Sequence, residues 1–254
     1  MGVEAYIPSG GLIGKLKRQA VRRLAKSPLA ISLERTLVSF SFDDFPRSAA
    51  MAGADILERH GWRGTFFAGG GFAGGENHLG KMFDIADLKR LHGDGHEIAC
   101  HTYSHIDIAK TPITDVEAEI DRNRAFLDAC GFDAPFQTFA YPYGEASLAA
   151  KRALTRRFNV LRGVRPGINR GIADRALLFA VPLDGGERGL RRALQWIENA
   201  RRNPGWLIFY GHDVREQPGP WGCTPQFLET VCLAVADAGF DVDTIAGAYE
   251  RLTR

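Results

Sequence analysis

Apolar and polar residues along this chain change period repeatedly, and the alternation of periods predicts an alternation of elements. Thr36–Phe42 (TLVSFSF) reads as a buried strand. Ala49–His60 has helical spacing and stops at Gly61, a residue type that ends helices by taking left-handed backbone. Gly64–Ala68 is strand-like again, Ile85–His92 is a short helix before the turn Gly93-Asp94-Gly95, and His96–Cys100 is a strand. A long amphipathic helix follows over Ile113–Cys130, with Thr114 and Glu117 spaced as a capping box. Gln137–Tyr141 then reads as a strand, Ser147–Phe158 as a helix, Asn159–Val164 and Leu177–Leu183 as strands, and Leu190–Arg202 as a basic helix. Trp206–Tyr210 is a wholly apolar strand, Pro225–Ala238 a helix, Asp241–Asp243 a short strand and Ile245–Leu252 a last helix. Strands alternating with helices predict βαβ units and a parallel sheet. So many units in one domain predict an α/β barrel that is closed or nearly closed.

Composition narrows this little. A chain of 254 residues with 45% apolar and 24% charged residues suits one large domain with a sizeable core. A net charge of +2 gives no reason to expect a nucleic-acid partner. The charge is uneven, however. Residues 1–35 carry seven Lys/Arg against Glu4 and Glu34, a net +5, which leaves −3 on the remainder. We therefore divide the chain into a basic N-terminal helical extension, 1–35, and a barrel domain, 36–254. Leu12, Leu16 and Leu24 recur at helical spacing with Ala20 between them. Two readings follow: a solvated helix packed on the domain, or an amphipathic helix making peripheral membrane contact through residues 12–26. The N-terminus lacks the apolar run and small-residue cleavage site of a secretion signal, and no stretch has the length of a transmembrane helix. The four cysteines are scattered without CxxC spacing, as free buried thiols would be, and a cytoplasmic location is the expectation.

The reactive side chains fall at strand ends. Asp43 and Asp44 follow the first strand, His101 follows HEIAC, Tyr141-Pro142-Tyr143-Gly144 ends QTFAY, Arg162 and Arg165 lie around the end of NVLRGV, and His212 stands two residues beyond WLIFY. In a parallel barrel these ends share one face, where βα loops build active sites. His101 and His105 are four residues apart, so on a helical turn they face one ion, and Asp44 would complete a two-His, one-carboxylate set with positions open for water. Two adjacent carboxylates repel, so one must be neutralised by a metal or an Arg. Each feature has a plainer account: surface histidines, a helix-capping Asp44, a structural His212. His60, His92 and His96 read as structural, and His78 in a Gly-rich loop is left without a role. Gly69–Gly74 matches GxGxxG after a strand but opens no helix, so it reads as a loop near the rim rather than a dinucleotide site.

Together, Ser41-Phe42-Asp43-Asp44, the His-Thr-Xaa-Xaa-His of 101–105, Tyr141-Pro142-Tyr143-Gly144 and His212 after an apolar strand resemble the polysaccharide deacetylase family (carbohydrate esterase family 4) in order and spacing. The resemblance runs from about Thr36 to the C-terminus. It implies a distorted (β/α)7 barrel in a single domain and hydrolysis of N- or O-acetyl groups on an acetylated sugar or glycan with a divalent metal, most commonly Zn2+. It implies Asp43 as general base, Asp44, His101 and His105 as metal ligands, the Tyr143 backbone N–H as oxyanion donor and His212 as general acid. Two features depart from the family. The arginine that often holds the base aspartate is replaced by Ala140; Arg162 or Arg165 is expected to supply the cation, and Arg165 is counted with the catalytic residues. The segment that supports the acid histidine has no match, with Asp241 and Asp243 as substitutes. Two other functions fit the same scaffold: hydrolysis of a non-sugar amide, and a catalytically silent carbohydrate-binding barrel. Asp43 and His212 speak against the silent barrel, since a binder needs neither base nor acid.

Overall fold

The structure is a computed structural model that describes residues 10–132 and 136–254. Its elements in chain order are α1 (Gly11–Arg23), β1 (Pro28–Ile31), β2 (Leu37–Asp43), a π-helical turn (Ala49–Gly53) running into α2 (Ala54–Arg59), β3 (Thr65–Ala68), β4 (Glu76–Asn77), β5 (Gly80–Lys81), α3 (Ile85–Gly93) and β6 (Glu97–Cys100). They continue as α4 (Ile113–Ala129), β7 (Thr138–Ala140), α5 (Leu148–Leu154), β8 (Val160–Arg162), β9 (Gly171–Asp174), β10 (Val181–Pro182), α6 (Gly186–Arg202), β11 (Trp206–Gly211), α7 (Pro225–Asp237), β12 (Asp241–Val242) and α8 (Ile245–Thr253).

The staves run β10-β11-β2-β3-β6-β7-β8, every pair parallel. The ring closes through one segment that changes partner halfway. Leu178 bonds to β8, its N–H donating to Leu161 O at 2.9 Å while Gly163 N–H donates to Leu178 O at 3.0 Å. Val181 and Pro182 then pair with Phe209 and Tyr210 of β11. The continuous strand expected at Leu177–Leu183 is therefore a distorted stave, regular only over Val181–Pro182. This is the distorted (β/α)7 barrel in a single domain. β12 pairs with Leu37 and Val38, at the end of β2 opposite the rim.

β2 explains why TLVSFSF gives no simple alternation: all seven residues of Leu37–Asp43 are buried. Val38, Phe40 and Phe42 pack outward with helix residues such as Ala54, Leu57 and Leu91, while Leu37 packs inward with Phe67, Ala99, Ala140 and Ile208. The serines between them are satisfied internally. Trp206 Nε1–H donates to Ser39 Oγ at 3.0 Å, and Ser41 Oγ–H to Phe209 O at 2.8 Å. A strand covered on both faces reads as a near-continuous apolar run.

The first nine residues of the basic extension lie outside the described residues. Its helix, α1, buries Gly14 and Val21 and leaves Leu12, Ile13 and Leu16 exposed. Its C-terminal end is fastened by Lys151, whose fully buried ammonium donates to Val21 O at 2.8 Å and Leu24 O at 3.1 Å and pairs with Asp174 at 2.6 Å. β1 pairs antiparallel with β9, so residues 28–31 are joined to the barrel region by strand pairing. α4 carries no box at Thr114 and Glu117: its N-cap is Pro112, and the Thr114 hydroxyl contacts Asp115 instead. The reciprocal cap forms on α3, between Asp84 and Asp87. Among the described residues no helix is long and apolar enough to cross a membrane, and the four cysteines are buried free thiols.

Candidate metal centre and its rim

The strand ends deliver the expected groups to one place. Asp43 is the last residue of β2 and is buried. The next two residues take left-handed backbone, Asp44 at φ 55° and Phe45 at φ 56°, a conformation that non-glycine residues adopt only when packing enforces it. The anchor is Phe45, fully buried and stacked on Phe83 at 4.3 Å between centroids. This reversal is how two adjacent aspartates reach one site from different angles.

The segment His101–His105 is not the helical turn that its spacing suggests. Thr102 (φ 60°) and His105 (φ 50°) are left-handed, and the turn is pinned from outside. Gly71 N–H donates to Tyr103 O at 2.9 Å, so tightly that a Cβ on Gly71 would lie 2.8 Å from that oxygen. The glycine run thus serves packing against the histidine turn; it forms a single 3-10 turn, Gly70–Phe72, and no α-helix opens there before α3. The two imidazoles meet with centroids 4.8 Å apart.

Asp44 Oδ1 lies 3.6 Å from His101 Nε2 and 3.4 Å from His105 Nε2, and these atoms all fall within 4.8 Å of one another. His101 Nδ1 sits 2.9 Å from Ala140 O. A carbonyl only accepts, so Nδ1 carries the proton and Nε2 turns its lone pair toward Asp44. Burial, helped by mutual repulsion at His101, pulls both imidazoles down to about 4, so both are neutral at neutral pH. Asp44 Oδ1 is buried without a hydrogen-bond partner, and burial raises its carboxyl above the ordinary range despite the nearby histidines. An orphaned carboxylate oxygen thus faces the Nε2 atoms of two neutral imidazoles, with the His101 lone pair turned toward it. Atoms each held about 2.1 Å from one ion sit at such spacings, so the residues fit a divalent metal.

Asp43 is treated differently. Burial alone would raise its carboxyl, but the Arg162 guanidinium, with smaller help from His101 and His212, brings it below the ordinary value. Arg162 ends β8, is fully buried, bonds Asp43 directly, and stacks over Phe67 and Tyr210 at 5.0 Å each. Arg162 is the register partner of Ala140 on β7, so the two side chains project to the same side at the same height. The small residue on one strand leaves room for the cation on the next. Arg165 requires a correction: its guanidinium stacks over Phe179 at 5.4 Å on the wall of a separate cavity, and the contact to Asp43 belongs to Arg162.

His212 follows β11, its Nδ1–H donating to Trp221 O at 3.2 Å. Asp241 and Asp243 do not support it. They lie near the opposite end of the barrel, where Asp241 pairs with Arg35 and Arg251, and Asp243 accepts from the Thr244 N–H. The Trp221 carbonyl was invisible to sequence reasoning because a backbone atom leaves no mark on residue choice. Tyr143 is left-handed (φ 58°) and sets its ring edge-on to His105 at 4.4 Å. His96 is structural, accepting from Gly64 N–H at 2.9 Å and meeting Glu58 at 2.9 Å, and His60 pairs with Glu229 at 2.9 Å. His92 stands edge-on to Phe132, and His78 stands edge-on to Trp221, beside His212.

Comparison with known proteins bears on the family and the fold. A chitin deacetylase of Arthroderma benhamiae is 33% identical over 86 residues, which cover 34% of this chain and 22% of that protein. A chitooligosaccharide deacetylase of Sinorhizobium fredii is 32% identical over 109 residues, covering 42% of this chain and 46% of that protein. The chain thus spans less than half the length of these curated relatives. Among solved structures, the chitin deacetylase of Colletotrichum lindemuthianum shares the fold with a TM-score of 0.62 and 19% identity, over 87% of this chain and 90% of that one. The polysaccharide deacetylase family model matches residues 31–159, just over half of the sequence, and the chain belongs to that family.

Proposed function

We propose that this protein is a metal-dependent hydrolase that removes an acetyl group from a carbohydrate. One observation carries the reading: the buried, unpartnered Asp44 oxygen facing the Nε2 atoms of two neutral histidines. Asp44, His101 and His105 would hold a divalent ion, with zinc best suited to two imidazoles and one carboxylate. When bound, the ion supplies Lewis acidity to the acetyl carbonyl and acidifies a water.

The chain's own groups divide the remaining work. Asp43, kept ionised by Arg162, accepts a proton from the water as its oxygen bonds to the acetyl carbon. The Tyr143 N–H donates to the carbonyl oxygen as negative charge gathers there. His212, protonated, gives its proton to the departing sugar nitrogen or oxygen as the bond to the acetyl carbon breaks. The products are acetate and the free amine or hydroxyl. Arg162 touches no reacting atom and acts as a positioning residue for Asp43.

The test combines metal analysis with acetate release over a panel of acetylated sugars. Asp43→Asn keeps its metal and loses activity by about 10²–10⁴-fold, the usual worth of a general base. His101→Ala loses metal and activity together. Full activity in Asp43→Asn would remove the assigned base and this mechanism with it.

A further inference from the structure

A cavity of about 660 Å³, in the size range of small-molecule sites, runs along the flank of the barrel from Gly144 and Gly163 at the rim to Asn169 and Arg170 near the start of β11. It begins at the chain just after Tyr143 and just after Arg162, and it is walled by β9 and the end of α1. Four cations line it: Arg22, Lys26, Arg165 and Arg170. The carboxylates in its lining are already engaged, Glu145 with Arg18 at 3.9 Å and Asp174 with Lys151 at 2.6 Å. None of the four cations forms an ion pair among the described residues. Glu145, held by Arg18, also feels Arg22, but the four cations outnumber the two carboxylates of the lining, and that excess of positive charge around one concavity lowers the cost of taking up a multivalent anion. Arginine supplies the planar fork that suits phosphate oxygens.

We propose that this cavity binds the phosphoryl or diphosphoryl group of the substrate, so that the acetylated sugar is presented to the metal centre as a phosphate ester. This rests on the deacetylase reading for the chemistry, but the cavity's charge stands apart from it. α1 becomes part of the binding site rather than an appendage, held by the buried Lys151. The cavity mouth also carries exposed Ile172, and α1 exposes Leu12, Ile13 and Leu16, so the phosphoryl group has two sources: a water-soluble sugar phosphate or a lipid-linked one.

The experiment titrates the full chain with inorganic pyrophosphate by calorimetry, for wild type and Arg165→Gln/Arg170→Gln. Losing charge-assisted hydrogen bonds weakens binding by about tenfold or more. An equal affinity in the double variant, with an unchanged melting temperature, overturns the proposal, as does the absence of saturable binding in wild type. In parallel, kcat/KM is compared for N-acetylglucosamine 1-phosphate and for neutral diacetylchitobiose. The ratio of phosphorylated to neutral substrate falls in the double variant if the cavity reads the phosphate, and an unmoved ratio counts against it. If wild type hydrolyses neither sugar, the deacetylase reading fails while the pyrophosphate titration still decides the cavity. Sedimentation with phosphatidylglycerol vesicles, lost in Leu12→Ser/Ile13→Ser/Leu16→Ser, assigns the lipid-linked source. Intact pyrophosphate binding without sedimentation assigns the soluble one.

Discussion

Replacing Arg162 with methionine removes the one cation among the described residues that bonds Asp43, while keeping much of the volume between Phe67 and Tyr210. Both partners are almost wholly buried, so the remaining carboxylate is left desolvated and unpaired. Breaking a buried pair by removing one partner costs about 3–5 kcal/mol. Part of that cost is avoidable, because Asp43 can take up a proton. Burial is the largest influence on its carboxyl and acts upward; Arg162 is the main influence that overcomes it. Without the arginine the carboxyl moves above its ordinary value, and the acidic limb of kcat/KM climbs by about 1–3 pH units. The double variant Asp43→Asn/Arg162→Met carries no orphan charge, so its stability falls by less than the two single losses added together. The assays are urea denaturation of the four proteins in the cycle and a pH–rate profile of acetate release for Arg162→Met. A stability loss under about 1 kcal/mol with an unmoved acidic limb would refute the argument that Arg162 holds Asp43 ionised.

Further outcomes follow from the same geometry. His101 and His105 are pulled down to about 4, so protons do not compete for them until well below the usual histidine range. Of the three ligands only Asp44, whose carboxyl burial raises, is left to take up a proton. Zinc affinity, measured against a competing chelator, therefore falls by no more than about one decade per pH unit from pH 7 to 5.5, and a steeper fall would contradict it. Gly71→Ala drives a Cβ to 2.8 Å from the Tyr103 carbonyl. The histidine turn must shift, at an overpacking cost of about 1–3 kcal/mol, and an unchanged zinc affinity would show that the turn is not held there. Lys151→Met strands Asp174 and two carbonyls, costing about 3–5 kcal/mol. Trypsin should then cleave within α1 faster than in wild type, and equal cleavage rates would mean that α1 is anchored elsewhere.

The chain's periodicity determined the order of the barrel's own strands and helices, though it missed the short paired strands β1, β4, β5 and β9, and the placing of Asp43, Asp44, His101, His105 and His212 at strand ends determined that they share a rim. Those inferences need only local pattern and the rule that parallel strands point the same way. The tertiary structure decided what depends on pairing across the chain. The choice of Arg162 over Arg165 follows from the β7–β8 register, which sets Arg162 beside Ala140 and turns it inward. Three residues further on the chain has left the strand, and Arg165 faces another cavity. The meeting of Asp44 with the two histidines depends on left-handed turns that Phe45 and Gly71 enforce by packing, not on helical spacing. The last stave closes the ring by exchanging partners between β8 and β11, and α1 becomes the wall of a cavity through distant contacts, among them a buried Lys151 that reaches back across 130 residues to hold it. Periodicity records which face of an element is buried; it carries no information about which distant element covers that face, and the site's charge balance was settled there.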